Sequence, residues 1–200
     1  SMNQAPEFIL FKNLETGNNQ WYIYHKGLNN GSNPEDYYIQ LGNSGSGSGG
    51  NSGEAGDSGG SLFNSTAPTS TNFYVGSSSA INESGKRTVA FLFSSRPGIS
   101  KVGYYSGTGS NGNVITLGFS PKIFILKRVD SSDSAEWRLL DTFRGFGGSG
   151  ATSDEFIYPN TNQAEEASNN FVTSSTGVTI NTEADGINKN GGRYIYYAHK

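Results

Sequence analysis

The sequence contains no cysteine, and this absence excludes several kinds of protein chemistry. Without thiols there is no disulfide framework, no cysteine nucleophile and no cysteine-based zinc site. Histidine is nearly as scarce, because only His25 and His199 are present. Charged side chains make up 16% of the 200 residues, and the 14 Lys and Arg residues are scattered rather than clustered. We therefore expect no nucleic-acid partner.

Long apolar runs are also missing from the chain. No run approaches the about 18 residues that a membrane-spanning helix requires. The first residues lack the charged-then-apolar layout of a secretory signal. We therefore expect no membrane insertion. Apolar material is still sufficient for a core, because the chain has 12 Phe, 11 Tyr and 2 Trp residues.

Short apolar or alternating runs recur along the chain, separated by Gly, Asn, Ser and Asp, and this pattern is typical of strands and turns. Strands are predicted at 7–12, 20–26, 37–41, 72–75, 87–93, 100–105, 113–119, 122–129, 136–142, 155–158, 170–173, 178–181 and 193–198. Ala and Glu residues cluster at 162–168, which predicts one short helix. The pattern as a whole predicts an all-β, two-sheet antiparallel sandwich of the jelly-roll or concanavalin-like kind.

Two parts of the chain resemble each other. The segment PEFILFK at 6–12 matches PKIFILK at 121–127 in residue type and spacing, and each is followed by a tryptophan, Trp21 or Trp137. Residues 81–87 likewise match residues 187–193. These matches predict two related halves, 6–95 and 121–200, joined by a connecting hairpin at 97–119. We expect the halves to share one core in a single domain spanning 1–200, with both tryptophans inside it.

Residues 42–61 have a different composition, because fifteen of these twenty residues are Gly or Ser. Such a segment buries little apolar area, so a flexible loop is predicted. Within it, GDSGG at 56–60 copies the nucleophile loop of chymotrypsin-like serine proteases. That chemistry needs a histidine beside Ser58 and a carboxylate that orients the histidine. Only His25 precedes the motif, so we interpret GDSGG as chance composition.

A second glycine motif, GTGSNG at 107–112, matches the spacing of a dinucleotide-binding loop. Such a loop must open a helix, whereas here an apolar strand follows at 113–117. We therefore predict a hairpin turn.

The ordered set of segments resembles a domain of unknown function found in virion structural proteins of marine bacteriophages. The similar elements are Pro6 to Lys12, Trp21, the turn at 82–85, the strand at 89–93, PGISK at 97–101, YSGTG at 105–109 and GFSP at 118–121. The resemblance covers the chain except 42–61, and it implies a concanavalin A-like lectin sandwich in a tail or fibre protein. It supplies no catalytic residues.

Tyrosines provide the candidate sugar-binding surface, because sugars stack their apolar faces on aromatic rings. The candidates are Tyr22, Tyr24, Tyr37, Tyr38, Tyr104 and Tyr105. We favour the face formed by Tyr22, Tyr24 and Lys26, together with Tyr38. The alternative interpretation is that these rings serve in core or cross-strand packing.

Two polar turns are weak candidates for calcium. One contains Asp130, Asp133 and Glu136, and the other contains Asp185 and Asn188. In both cases a polar hairpin loop is the favoured interpretation, so no cofactor is expected, with calcium the alternative. Three carboxylate pairs, 35–36, 154–155 and 165–166, are sequence neighbours and do not form a persuasive acid–base pair for glycoside hydrolysis.

The resemblance and the tyrosines together lead to a functional hypothesis. We expect a non-enzymatic virion module of a phage tail or fibre that contacts the host surface and therefore acts outside the cell. Its expected partners are other virion proteins or a host cell-surface glycan, and family analogy suggests a homotrimer. The alternative is a lectin-like carbohydrate-binding module of a bacterial surface protein. A glycoside hydrolase is the weakest alternative.

Overall fold

The computed structural model describes residues 3–15, 20–42, 53–130, 135–147, 154–168 and 170–200. These residues form fourteen strands and two helices of four residues each. All paired strands are antiparallel. The predicted all-β antiparallel sandwich is therefore confirmed.

The elements follow one another in this order: β1 (Phe8–Asn13), β2 (Trp21–His25), β3 (Tyr37–Leu41), β4 (Ala55–Gly56), α1 (Ser79–Asn82), β5 (Thr88–Phe93), β6 (Ser100–Ser106), β7 (Asn113–Thr116), β8 (Ile123–Arg128), β9 (Arg138–Asp141), β10 (Asp154–Ile157), β11 (Glu166–Ser168), β12 (Phe171–Ser174), β13 (Gly177–Ile180), α2 (Asp185–Asn188) and β14 (Arg193–His199). Four short 3-10 turns accompany them, at Leu28–Gly31, Pro34–Asp36, Ser58–Gly60 and Thr142–Arg144.

The strands form three sheets, one more than the sequence predicted. A five-stranded sheet has the order β4-β3-β2-β1-β5, and a six-stranded sheet has the order β11-β10-β9-β8-β14-β6. The additional sheet contains β12, β13 and β7. The two larger sheets have corresponding strand orders apart from β6, and a short helix precedes both β5 and β14. The origin of this correspondence in two sequence-related halves stays a prediction.

Three apolar clusters pack against the faces of these sheets. The central cluster joins the two larger sheets, with Phe8, Ile23 and Ile39 on one side and Trp137 and Ile195 on the other. A second cluster packs the six-stranded sheet against the three-stranded sheet. A third lies on the outer face of the five-stranded sheet, where Leu62 and Phe63 cover it. Both faces of each larger sheet therefore pack against an apolar cluster. Because successive strand residues point to opposite faces, strands in such a sheet are continuously apolar.

The prediction of a connecting hairpin at 97–119 is wrong. β6 pairs with β14 and β7 pairs with β13, so the two strands lie in different sheets. The glycine turn at 107–112 therefore carries the chain from one sheet to the next. β7 leaves β6 because its apolar residue Ile115 is buried in the second cluster, against the face of the six-stranded sheet.

Two other local predictions are also wrong. Residues 162–168 are not helical, since 166–168 form the edge strand β11 and Glu155 of β10 pairs with Ala167. A helix of about two turns is too short to be stable alone, so pairing with the sheet edge prevails. Residues 72–75 form no strand, and the Phe73 ring instead packs on Phe11 at 5.5 Å.

The Gly/Ser loop prediction at 42–61 has two outcomes. Residues 43–52 lie outside the described residues. Residues 53–61 are wrongly predicted as flexible, because they contain β4 and the 3-10 turn Ser58–Gly60. Hydrogen bonds from Ser61, Leu62 and Phe63 to the Asp57 carboxylate fix this turn, and composition alone does not indicate them.

Candidate functional site: a polar pocket beside the five-stranded sheet

A pocket of about 280 Å³ opens between the loop after β2 and the turn after β4. It is lined by Asn29, Asn33, Asp36, Tyr37, Gly56, Asp57 and Ser58. Five of these seven residues have amide, carboxylate or hydroxyl side chains, and Tyr37 supplies the aromatic ring. The pocket lining is therefore polar, in contrast to the three apolar clusters.

The first wall follows from the asparagines of the loop GLNNGSNPED. Asn29, Asn30 and Asn33 have positive φ angles of 49°, 56° and 45°. Asparagine tolerates this left-handed region better than most residues, so it allows successive tight turns. Pro34 then begins the 3-10 turn Pro34–Asp36, which ends where β3 starts. The result is a compact loop whose polar side chains face the pocket opening.

This loop is tied to the six-stranded sheet through Glu54. The Asn29 N–H donates a hydrogen bond to Oε2 of Glu54 at 2.6 Å. Oε1 of Glu54 forms an ion pair with Arg193 at 2.6 Å, and the Glu54 side chain is only 7% exposed. The pocket wall is thus anchored to β14 by a buried carboxylate.

The second wall depends on Asp57, which is buried. Its carboxylate accepts hydrogen bonds from the N–H groups of Leu62 and Phe63 and from the Ser61 hydroxyl, at 2.7 to 3.0 Å. The Asp57 N–H donates to the carbonyl oxygen of Asp36 at 2.6 Å. Asp57 therefore holds the turn closed and joins the two walls.

Four side chains of the pocket have no hydrogen-bond partner among the residues that the structure describes. They are those of Asn33, Asp36, Tyr37 and Ser58. An amide, a carboxylate and two hydroxyl groups are consequently available around one ring. This set can satisfy several hydroxyl groups of a ligand at once.

The predicted sugar face is only partly accessible. The rings of Tyr22 and Tyr38 lie together, with centroids 5.6 Å apart. Tyr24, in contrast, is 5% exposed and packs against Phe63. Lys26 is ion-paired with Glu7 at 2.6 Å. The structure therefore brings Tyr22 and Tyr38 together but places Tyr24 in the core beneath the 62–63 segment.

The electrostatics of this region agree with the buried position of Tyr24. Burial raises the pKa of Tyr24 well above its usual value, and the negative charges of Glu35 and Glu7 raise it further. Burial opposes ionisation of Glu7, but hydrogen bonds from Lys26 and Ser95 outweigh it, so the pKa of Glu7 is lowered. Glu7 and Lys26 are thus a charged pair that fixes the end of β2.

The candidate calcium turns are occupied by internal contacts. Asp130 accepts a hydrogen bond from Nε of Arg128 at 2.7 Å, and Glu136 accepts one from Asn160. Asp133 lies outside the described residues. In the second turn, Asp185 pairs with Lys189. Within the described ranges, no group of three or more acidic or histidine side chains is arranged to hold a metal ion.

The GDSGG motif has no histidine partner in the described part of the chain. Ser58 is exposed, whereas His25 is buried. Nε2 of His25 donates to the Tyr196 carbonyl at 3.1 Å, and Nδ1 accepts from the Gly27 N–H at 3.0 Å. Burial lowers the pKa of His25 to about 4. His25 is therefore a neutral, hydrogen-bonded core residue.

The tryptophans have different environments. Trp137 is 3% exposed and its indole N–H donates to the Gln40 carbonyl at 3.0 Å, which confirms its predicted core position. Trp21 is only partly buried and packs beside Phe91, which is 48% exposed. One aromatic pair therefore lies at the border of the central cluster rather than inside it.

Of the pocket residues, sequence reasoning identified only Tyr37 as a candidate for sugar contact. Asn29, Asn33, Asp36 and Ser58 were missed as a binding set because the two segments that carry them are about twenty residues apart in sequence. The run of asparagines around Gly31 and Pro34 was the available signal, since such residues favour irregular surface loops, and binding groups are often carried on them.

The chain is thus a layered antiparallel β-sandwich with a polar pocket between the loop after β2 and the turn after β4. A family model described as a domain of unknown function, DUF7483, matches residues 1–200, so the chain belongs to that family. No curated protein and no solved structure matches this chain. No helix in the described ranges has the length and apolar character needed to cross a membrane.

Proposed function

We propose that this chain is a non-enzymatic binding module that holds a hydroxyl-rich glycan in the pocket between 29–37 and 56–58. The proposal rests on one observation: the polar groups of Asn33, Asp36, Tyr37 and Ser58 surround one aromatic ring and have no hydrogen-bond partner within the described ranges. Sugars have apolar C–H faces that pack on rings, while their hydroxyl groups require donors and acceptors. The pocket offers both.

The pocket's size limits the ligand. Its volume of about 280 Å³ lies at the small end for ligand sites, which begin near roughly 300 Å³. It suits the end of a glycan or one branch rather than a long buried chain. Anchoring through Glu54 and Asp57 keeps both walls in place, so little ordering is required when the ligand binds.

The biological setting that we propose is a phage tail or fibre. Its support is the resemblance of the ordered segments to a virion-protein domain, including the concanavalin-like type that the resemblance implies. In that setting the module acts outside the cell, its partners are other virion proteins and a host-surface glycan, and the chain forms a homotrimer. The alternative is a lectin-like module of a bacterial surface protein, which uses the same pocket without a virion assembly.

A glycan array probed with the labelled chain tests this function. The chain should bind a defined set of glycans, and Asn33→Gly should weaken that binding about fivefold, since one hydrogen bond is lost. Glycine keeps the left-handed backbone at position 33. The matched control is Asn64→Gly, because Asn64 has φ 55° and lies outside the pocket lining. It should bind like the original chain.

Three outcomes would contradict the proposal. One is the absence of saturable binding to any glycan. Another is loss of binding in Tyr22→Leu but not in Asn33→Gly, which would place the site on the Tyr22–Tyr38 face. The third is cleavage of a bound glycan, which would make the chain an enzyme. The mass of the chain in solution separates the two settings, because a trimer favours the fibre and a monomer favours the lectin-like module.

A further inference from the structure

We infer that the pocket selects its ligand by charge, accepting neutral or amine-bearing sugars and rejecting carboxylated or sulfated ones. This inference rests on the proposed function and names the ligand class for the same site. It depends on which charges line the pocket and which of them are balanced by partners.

The described pocket lining contains carboxylate side chains but no cationic side chain. Asp36 and Asp57 line the pocket, and no Lys or Arg is among the lining residues that the structure describes. The donors to Asp57 are the neutral N–H groups of Leu62 and Phe63 and the hydroxyl of Ser61, so they satisfy its oxygens without cancelling its charge. The carboxylate of Asp36 has no described partner.

The cations in the surrounding segments are already paired. Lys26, which precedes the loop, is paired with Glu7 at 2.6 Å. Arg193 is paired with the anchoring carboxylate Glu54 at 2.6 Å. Glu35 adds another negative charge beside Asp36, and its effect reaches the interior, where it raises the pKa of Tyr24 together with burial. The field at the pocket is therefore negative.

This field has opposite effects on the two kinds of charged sugar. A carboxylate or sulfate group that enters the pocket would give up part of its hydration shell close to the carboxylates of Asp36 and Asp57. Like charges at short range repel, so binding of such a sugar is disfavoured. An ammonium group on a sugar ring would instead meet the free carboxylate of Asp36 and form a charge-assisted hydrogen bond. Neutral sugars use the amide and hydroxyl groups without either effect.

The test is calorimetric titration of the complete chain with three short oligosaccharides of equal length. They are oligomers of glucosamine, of N-acetylglucosamine and of galacturonic acid. We expect binding of the first two and none of the third. Asp36→Asn should weaken binding of the glucosamine oligomer about two- to fivefold, which is the loss expected for a solvent-exposed ion pair. It should weaken binding of the N-acetylated oligomer less than binding of the glucosamine oligomer, because the asparagine amide still offers hydrogen bonds to a neutral sugar while the negative charge is lost.

Glu183→Gln is the matched control, because Glu183 is exposed and outside the pocket lining. It removes one negative charge, as Asp36→Asn does, and should change the affinity for neither the glucosamine nor the N-acetylglucosamine oligomer. The control therefore separates a change in the net charge of the chain from a change at position 36. Binding of the galacturonate oligomer as tight as that of the N-acetylated oligomer would overturn charge selection and leave the proposed function intact. Failure of all three oligomers to bind, with a blank glycan array, would overturn both.

Discussion

At the scale of single residues, His25 has the clearest chemical consequence. It is buried, its two ring nitrogens are both hydrogen-bonded, and burial lowers its pKa from 6.5 to about 4. The folded chain therefore keeps His25 neutral at a pH at which the unfolded chain protonates it. Its contribution to stability is complete above pH 6.5 and is lost as the pH falls from 6.5 towards 4.

This shift predicts acid sensitivity in a defined window. Between pH 7 and pH 5 the free energy of unfolding should fall by about 2 kcal/mol, because each pKa unit corresponds to about 1.4 kcal/mol. Urea unfolding at the two pH values measures it. His25→Gln should be less stable at pH 7 but should lose much less stability between the two pH values. An equal loss in both proteins would contradict the assignment to His25.

The residue scale also shows where sequence reasoning stops. The Lys residues that end 6–12 and 121–127 look equivalent in sequence, yet Lys127 is completely buried and donates a hydrogen bond to the Ala135 carbonyl. Burial lowers its pKa to about 8. Lys12 is only partly buried. Nothing in the two matching segments predicts this difference, because it depends on the chain that covers each strand end.

At the scale of elements, period-two alternation and glycine-rich punctuation located most strands, since these signals are local. The same reasoning failed where pairing is decided at a distance. Residues 166–168 became a strand because β10 offered an edge, and β7 left β6 because Ile115 fits the second cluster. The pocket was missed for the same reason, since its walls meet only after β3 pairs with β4.

The glycine turn at 107–112 owes its shape to one buried side chain, Asn188 of α2. The Asn188 amide donates to the carbonyls of Ser110 and Thr182 at 2.8 and 2.7 Å, and its oxygen accepts from the Thr108 N–H and from Asn113. Asn188 thus joins the linker between β6 and β7 to the segment before β14.

Asn188→Ala should therefore destabilise the chain by about 3 kcal/mol, because it removes a fully buried side chain together with its hydrogen bonds to Thr108, Ser110 and Thr182. Chemical denaturation provides the measurement. The control is Asn190→Ala, whose side chain is exposed and which should change stability by less than about 0.5 kcal/mol. If the two substitutions had equal effects, the hydrogen-bond network would not be what holds this turn.

At the scale of the whole molecule, the central cluster joins the two larger sheets. The third cluster contains only residues before 95, and the second cluster contains only residues after 100. The central cluster takes residues from both parts. That the chain is one domain with a shared core stays a prediction, and the central cluster is the set of contacts on which this prediction depends.

A single unfolding transition should result. Ile23 and Ile195 are buried on opposite sides of the central cluster, and either change to Ala should lower the stability by about 2 to 4 kcal/mol. In calorimetry both variants should shift one common transition to lower temperature. Two separate transitions, of which each variant shifts only one, would show that the larger sheets unfold independently.

The central claim is that this sandwich binds a glycan in the pocket between its end loops, and NMR titration of the ¹⁵N-labelled chain tests it most directly. The ligand is the glycan that binds best on the array. We predict that the largest backbone amide shifts fall on Asn29, Asn33, Gly56 and Ser58 and saturate together. Shifts confined to the strands that carry Tyr22 and Tyr38, or no saturable shifts, would contradict the account.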